Sequence, residues 1–176
     1  MKKIDRNSLL YWYPKIKDTD IPIPQTLIYK IPQELLKHIY NEEMQHSTVN
    51  EMKKLAREIG YPIWIRTDHA SGKHSWKKTC YVENEETLGR NMYNIMTANL
   101  CADLLFSAYV AREYIPLKSS FTAFYGKLPI AKERRYFVHN GKVECHHPYW
   151  PPDSIIKPSK WNWRDLLNSM NTETAE

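Results

Sequence analysis

Between residues 9 and 16 the apolar side chains Leu9, Leu10, Trp12, Tyr13 and Ile16 recur with a helical period, and Asn7 or Ser8 is placed to cap the first turn. Pro22 and Pro24 then break the chain, and the β-favouring run Thr26-Leu27-Ile28-Tyr29-Lys30-Ile31 predicts a strand. Pro32 opens a helix expected over 33–43, where its missing N–H is not needed. Val49, Met52, Leu55, Ala56 and Ile59 form one stripe of a helix starting at Ser47 or Thr48, with Gly60 as a left-handed stop.

The run Pro62-Ile63-Trp64-Ile65-Arg66 predicts a short buried strand, 67–76 a polar loop containing Gly72, and 78–82 a return to β structure. A long helix is expected over 86–106 behind Asn84 or a neighbouring acid, with Gly89 and Thr97 weakening its interior. Residues 108–115 predict another strand, stopped by Pro116. The pair Asn140-Gly141 between 134–138 and 142–146 predicts a hairpin, since both residues tolerate positive φ. Proline and tryptophan crowd an extended loop over 148–158, and 161–170 reads as a last helix.

This pattern fills 176 residues, enough for one cored domain or two small lobes. Hydrophobic residues at 42% and charged residues at 26% are the balance of an ordinary folded protein. No apolar run approaches the roughly 20 residues of a membrane span, and the basic N-terminus lacks a signal peptide's apolar stretch. The expected location is therefore cytoplasmic. Cys80, Cys101 and Cys145 are odd in number and widely spaced, which argues against a disulfide framework or a structural zinc site. A formal charge of +5 suits anionic partners, both nucleotides and nucleic acids.

Candidate chemistry sits at strand ends. Arg66 closes its strand and precedes a loop in which Ser71 and Gly72 form a small-residue hinge followed by Lys73, Lys77 and Lys78. Such a loop suits a phosphate chain, because glycine admits close backbone approach and ammonium groups neutralise charge. It is not a Walker A loop, whose glycine spacing differs; a solvated basic loop is the alternative. Arg112, Glu113, Tyr114 and Ile115 end a strand that offers backbone donors and acceptors to an adenine, with an edge-strand salt bridge at Glu113 as the plain alternative. Glu133 and Arg135 share one strand face, Arg134 the other, and a strand-borne arginine suits bidentate phosphate binding. Glu133 and Arg135 neutralising each other is the competing reading. The histidines are badly spaced for a metal. Tyr136 and Phe137 are expected to support stability, by roughly 3 kcal/mol where a ring is buried.

In their order, the runs I-R-T-D, S-G-K-H, V-A-R-E-Y-I, K-E-R-R-Y-F and H-H-P-Y-W-P resemble the ATP-grasp superfamily, in particular small ATP-grasp proteins of bacteriophages and bacteria. The resemblance spans about 21–152. It implies an α+β, ATP-grasp-like fold: a mostly antiparallel sheet with flanking helices, an N-terminal helical region over 1–60 and a partial nucleotide-binding region over 61–176. It further implies ATP and Mg2+ as cofactors, and activation of a carboxylate as an acyl phosphate for attack by an amine or other nucleophile. Arg66 and Arg135 would be the catalytic cations. Ser71, Gly72, Lys73 and Lys78 would contact phosphates, and Arg112, Glu113, Tyr114, Ile115 and Glu133 would complete the nucleotide site. No residues are assigned to the metal: Asp153, Asp165, Glu173 and Glu176 do not match the family's pattern of acids, so an interrupted C-terminal part is expected. The alternatives are a basic, aromatic-rich nucleic-acid-binding module and a non-catalytic ATP-grasp shell.

Overall fold

The computed structural model describes residues 5–119, 121–124, 127–131, 133–150 and 155–156. It divides into two compact units, 1–115 and 116–176.

The first unit is built on a four-stranded antiparallel sheet. Its strands are β1 (Thr26–Lys30), β2 (Ile63–Thr67), β3 (Tyr81–Val82) and β4 (Ala108–Glu113), in the spatial order β1-β4-β2-β3. The helices are α1 (Leu9–Ile16), α2 (Gln33–Tyr40), α3 (His46–Ile59) and α4 (Glu85–Leu100), and a 3-10 helix kinked at Ser75 occupies Lys73–Lys78. Alternation along β2 sends Ile63, Ile65 and Thr67 to one face and Trp64 and Arg66 to the other. The inner face packs with Met52 and Ala56 of α3 and with Leu88, Met92, Ile95 and Met96 of α4. Those positions repeat at three and four residues, so each helix lays one apolar stripe on the sheet. Each fully buried side chain of this size contributes about 1.5–3 kcal/mol.

Helix ends follow the local chemistry. Ser8 caps α1 by accepting from the Leu10 N–H at 3.2 Å, and Asn84 caps α4 by accepting from the Thr87 N–H at 3.2 Å. Arg57 of α3 donates to both carboxylate oxygens of Glu85 on α4 at 2.6 Å, joining the two helices across their outer edge. Helix α4 runs through Gly89 and Thr97 unbroken. It ends at Leu100 rather than near residue 106, because Asp103 turns the chain at φ 53° and Leu104 N–H bonds back to the Asn99 carbonyl. Gly60 ends α3 with φ 90° and ψ 135°, a positive-φ exit outside the left-handed helical well.

The second unit holds a three-stranded antiparallel sheet, β5 (Phe121–Ala123), β6 (Leu128–Ile130) and β9 (Ile155–Ile156), in the order β6-β5-β9. It also holds the hairpin of β7 (Arg134–His139) and β8 (Lys142–Pro148). Asn140 and Gly141 both adopt positive φ, 49° and 74°, as the Asn-Gly pair requires. A register shift at Phe137/Val138 bulges the ribbon. The sequence pattern did not resolve β5, β6 or β9. They are two or three residues long, and β6 has Pro129 at its centre. Tyr136 and Phe137 are 42% and 46% exposed, so the condition of a buried ring is not met: among the described residues the two-stranded ribbon has no second layer over them. The helix expected over 161–170, and Asp153, Asp165, Glu173 and Glu176, lie outside the described residues.

The thiols separate sharply. Cys80 is buried, and desolvation pushes its pKa up to about 12, while Cys101 and Cys145 are exposed. A thiolate is the reactive species. Alkylation of the folded protein with iodoacetamide near pH 8 is therefore expected to modify Cys101 and Cys145 and to spare Cys80, as read by peptide mass. Modification of Cys80 at a rate matching the other two would contradict this packing.

Candidate functional site

The outer face of the first unit's sheet brings together three of the sequence-predicted residues, Arg66, Arg112 and Tyr114. In register, Arg112 of β4 lies opposite Thr26 of β1 and Trp64 of β2, and Trp64 lies opposite Tyr81 of β3. One row across four strands thus reads Thr26, Arg112, Trp64, Tyr81. The next row on that face places Arg66 opposite Val110, so Arg66 and Arg112 are diagonal neighbours.

Arg112 is the more unusual of the two. Burial lowers its pKa from the ordinary arginine value, with a smaller opposing influence from Tyr13, although a guanidinium remains charged. Its Nε donates to Thr26 Oγ1 at 3.1 Å. Among the described residues it has no carboxylate partner in an ion pair. Desolvated charges are normally compensated by an opposite charge, so this position favours an incoming anion.

Arg66 is fixed by its own turn: Nε donates to the Thr67 carbonyl at 2.9 Å and Nη2 to the His69 carbonyl at 3.2 Å. That turn is set by Asp68, which is 1% exposed. Its carboxylate accepts from Ser8 Oγ at 2.6 Å, Ser107 N–H at 2.9 Å and Ala108 N–H at 3.1 Å. Its backbone accepts from Leu9 N–H and donates to the Ala108 carbonyl. His69 Nε2 lies 3.5 Å from the same carboxylate and 3.3 Å from Asp5.

Beside the arginines stands an aromatic cluster. Trp64 is near-parallel to both Trp76, with centroids 6.3 Å apart, and Tyr114, at 6.4 Å. Tyr81 meets Trp76 at 5.1 Å and Tyr114 edge-on at 5.0 Å. Such pairs contribute about 0.5–1.5 kcal/mol each beyond their area. The result is a contiguous wall of rings, a chemistry that suits stacking with a flat heteroaromatic base.

Ser71, Gly72 and Lys73 lead into the 3-10 helix rather than an open loop. Gly72 sits in the left-handed region at φ 60°, and a Cβ there would lie 3.1 Å from Thr79 Cβ. Lys77 Nζ lies 5.5 Å from the Trp76 ring centre, and Lys78 is exposed. Strand β4 ends at Glu113, whose N–H donates to the Gln25 carbonyl at 2.9 Å while its Oε2 accepts from Gln25 N–H at 3.2 Å. Ile115 is exposed just beyond.

Glu133 and Arg135 belong to the second unit. The Glu133 carbonyl accepts from Tyr149 N–H at 2.9 Å, and the Arg135 guanidinium lies 4.6 Å from the Tyr149 ring centre. Arg134, on the opposite face, bonds to His146 Nδ1. Among the described residues, no group of three or more His, Cys, Asp or Glu is arranged to hold a metal ion, and no helix is long and apolar enough to cross a membrane.

Sequence reasoning missed Asp68, whose partners lie 39 to 60 residues away and leave no local pattern. It also missed the aromatic wall, though the alternation of Trp64 with Ile63 and Ile65 signals a ring on the face away from the core.

Comparison with known families and structures bears on this geometry. The model of the ATP-grasp domain, R2K clade family 3, matches residues 42–171. Among solved structures, Cdc123 from Schizosaccharomyces pombe is similar with a TM-score of 0.52 and 15% identity, covering 98% of this chain and 78% of that one. At that identity the likeness concerns the fold alone. No curated protein matches the chain.

The Asp68 network makes a stability prediction. Asp68→Ala orphans one buried and one partly buried N–H group, at about 1–3 kcal/mol apiece, and is expected to lower unfolding free energy in urea by roughly 3 kcal/mol. Asp68→Asn, which keeps an acceptor, is expected to cost clearly less. An alanine variant within ~0.5 kcal/mol of the parent, the spread of ordinary surface changes, would show that the network is not structural.

Proposed function

Because the chain belongs to family 3 of the R2K clade of ATP-grasp domains, we propose that it binds ATP on the outer face of its four-stranded sheet and uses it to activate a carboxylate. The observation that carries the reading is Arg112, a partly buried guanidinium without a counter-charge among the described residues, set beside the Trp64–Tyr114 stack. A nucleoside triphosphate offers the matching pair of features, a flat base and a string of negative charges.

In the proposed reaction a substrate carboxylate oxygen attacks the γ-phosphorus and the bond from that phosphorus to the bridging oxygen breaks, releasing ADP. The nitrogen of an acceptor amine then attacks the acyl carbon, the bond to the phosphate oxygen breaks, and inorganic phosphate and a proton depart. Protein groups supply position and charge rather than covalent bonds. Arg112 and Arg66 stabilise phosphate oxygens, and the Thr67 and His69 carbonyls keep Arg66 from reorganising. Trp64, Tyr81 and Tyr114 hold the base, with backbone groups at Glu113 and Ile115 beside it. Ser71, Gly72, Lys73 and Lys78 border the phosphates. Arg135 and Glu133 enter the proposal through the E-R-R-Y-F run, with Arg135 assigned to the transferring phosphoryl group. Magnesium, when bound, neutralises phosphate charge. Among the described residues no group of three or more His, Cys, Asp or Glu is arranged to hold that ion, so no step is assigned to it.

ATP is expected to raise the melting temperature in proportion to the logarithm of its concentration above Kd, and an unchanged melting temperature at millimolar ATP with and without magnesium counts against the proposal. Arg112→Met removes a desolvated cation. Its expected signature is a melting temperature at or above that of the parent without nucleotide, together with ATP binding weakened at least ~10-fold, equivalent to about 1.4 kcal/mol. Arg135→Ala is expected to reduce ATP turnover while leaving the fold intact. Full turnover in that variant would remove Arg135 from the mechanism.

A further inference from the structure

Helix α4 contains Asn91, Asn94 and Asn99, although asparagine is a poor helix former. Each amide makes a bond that explains its presence. Asn99 accepts from Thr67 Oγ1 at 2.8 Å and donates to the Ile95 carbonyl at 2.8 Å, joining α4 to the end of β2. The other two reach the end of the 3-10 helix and the start of β3. Asn91 Nδ2 donates to the Tyr81 carbonyl at 2.6 Å and more distantly to the Lys77 carbonyl at 3.4 Å. One turn on, Asn94 Nδ2 donates to the Lys78 carbonyl at 2.7 Å.

Thr79 ties the same segment from within. Its hydroxyl lies 2.7 Å from the Gly72 carbonyl and 3.0 Å from that of Ser75, its one proton serving both. Its side chain also fills the space a Cβ at position 72 would take. The carbonyls at both ends of the lysine-bearing segment are thus drawn onto side chains. Asn91 is buried, and its bond doubles as core satisfaction. Asn94 is different: it is only partly buried, and its bond lies where water competes. Such a bond adds little to global stability but restricts where the Lys78 backbone sits.

We infer that Asn94 and Thr79 are positioning residues that hold the segment from Ser71 to Lys78 in the one conformation able to receive a nucleotide's β- and γ-phosphates; the inference rests on the nucleotide-binding reading above. Neither side chain is assigned a contact with the ligand. Both act through the backbone that carries Lys73, Lys77 and Lys78. Preorganisation of this kind removes an ordering cost from binding.

The test uses the full chain. Native-state trypsin cleavage after Lys73, Lys77 and Lys78 reports the order of the segment, and dissociation constants for ATP and AMP report binding. AMP keeps the base and ribose but lacks the outer phosphates. In Asn94→Ala, cleavage is expected to quicken several-fold and ATP binding to weaken roughly five- to tenfold, the size of one lost hydrogen bond, with AMP binding unchanged. Thr79→Val provides the second variant, with the same expected pattern, and Thr79→Ser, which retains the hydroxyl, is expected to restore parental values. Faster cleavage with unaltered ATP affinity overturns the inference and leaves the nucleotide proposal standing. Equal weakening of ATP and AMP also overturns it, since that marks a general structural role. If the parent itself binds no ATP, the nucleotide proposal fails first and the inference with it.

Discussion

A carboxylate taken out of water must be compensated where it sits, and at Asp68 that requirement organises the first unit. The ion collects a hydroxyl from the start of α1 and two N–H groups from the start of β4, so three segments distant in sequence meet at the end of β2. Burial of a charge is costly, and compensation is geometrically exacting. Alternative placements of α1 or of the entrance to β4 would leave the carboxylate short of donors. The cost of burial thereby becomes a specification of the fold.

The consequences extend to the outer face of the sheet. The carbonyls flanking Asp68 are the ones that hold Arg66, so a turn fixed by a buried anion presents a fixed cation. Arg112, one diagonal away, is desolvated without a matching charge among the described residues. The aromatic wall runs along the same row, and the asparagines of α4 anchor the lysine-bearing segment at its border. The inner face supplies the hydrophobic free energy that allows this. Ile63, Ile65 and Ala111 face α3 and α4, and strand alternation leaves the intervening positions available for chemistry.

Local patterns made much of this legible. Ser8 and Asn84 as caps, the apolar stripes of α3 and α4, the Ile63/Ile65 strand and the Asn140-Gly141 turn all depend on neighbours within one or two turns of chain, and each is visible as spacing. The ATP-grasp family and its α+β architecture were visible in the order of short runs. What was not legible depends on distance. Asp68 looks like any polar residue after a strand until its partners at Ser8 and Ser107 are brought to it. The 3-10 helix over Lys73–Lys78 owes its shape to Thr79, Asn91 and Asn94, and read alone it is a polar loop. Tyr136 and Phe137 have the composition of a core, but whether rings are covered depends on a second layer that a two-residue period cannot announce. For the site, Arg66 and Arg112 could be picked out as strand-end cations. Their placement on one face required the register of β2 against β4, and the lack of a carboxylate partner for Arg112 among the described residues required its surroundings in three dimensions.

In the proposed complex the base of the nucleotide lies against the rings of Trp64, Tyr81 and Tyr114. Photolabelling with 8-azido-ATP, followed by peptide mapping, reads that placement directly. Adducts are expected within 61–83 or 108–115 and are expected to disappear when unmodified ATP is added in excess. Adducts confined to peptides elsewhere in the chain, or labelling that excess ATP does not reduce, would contradict that placement.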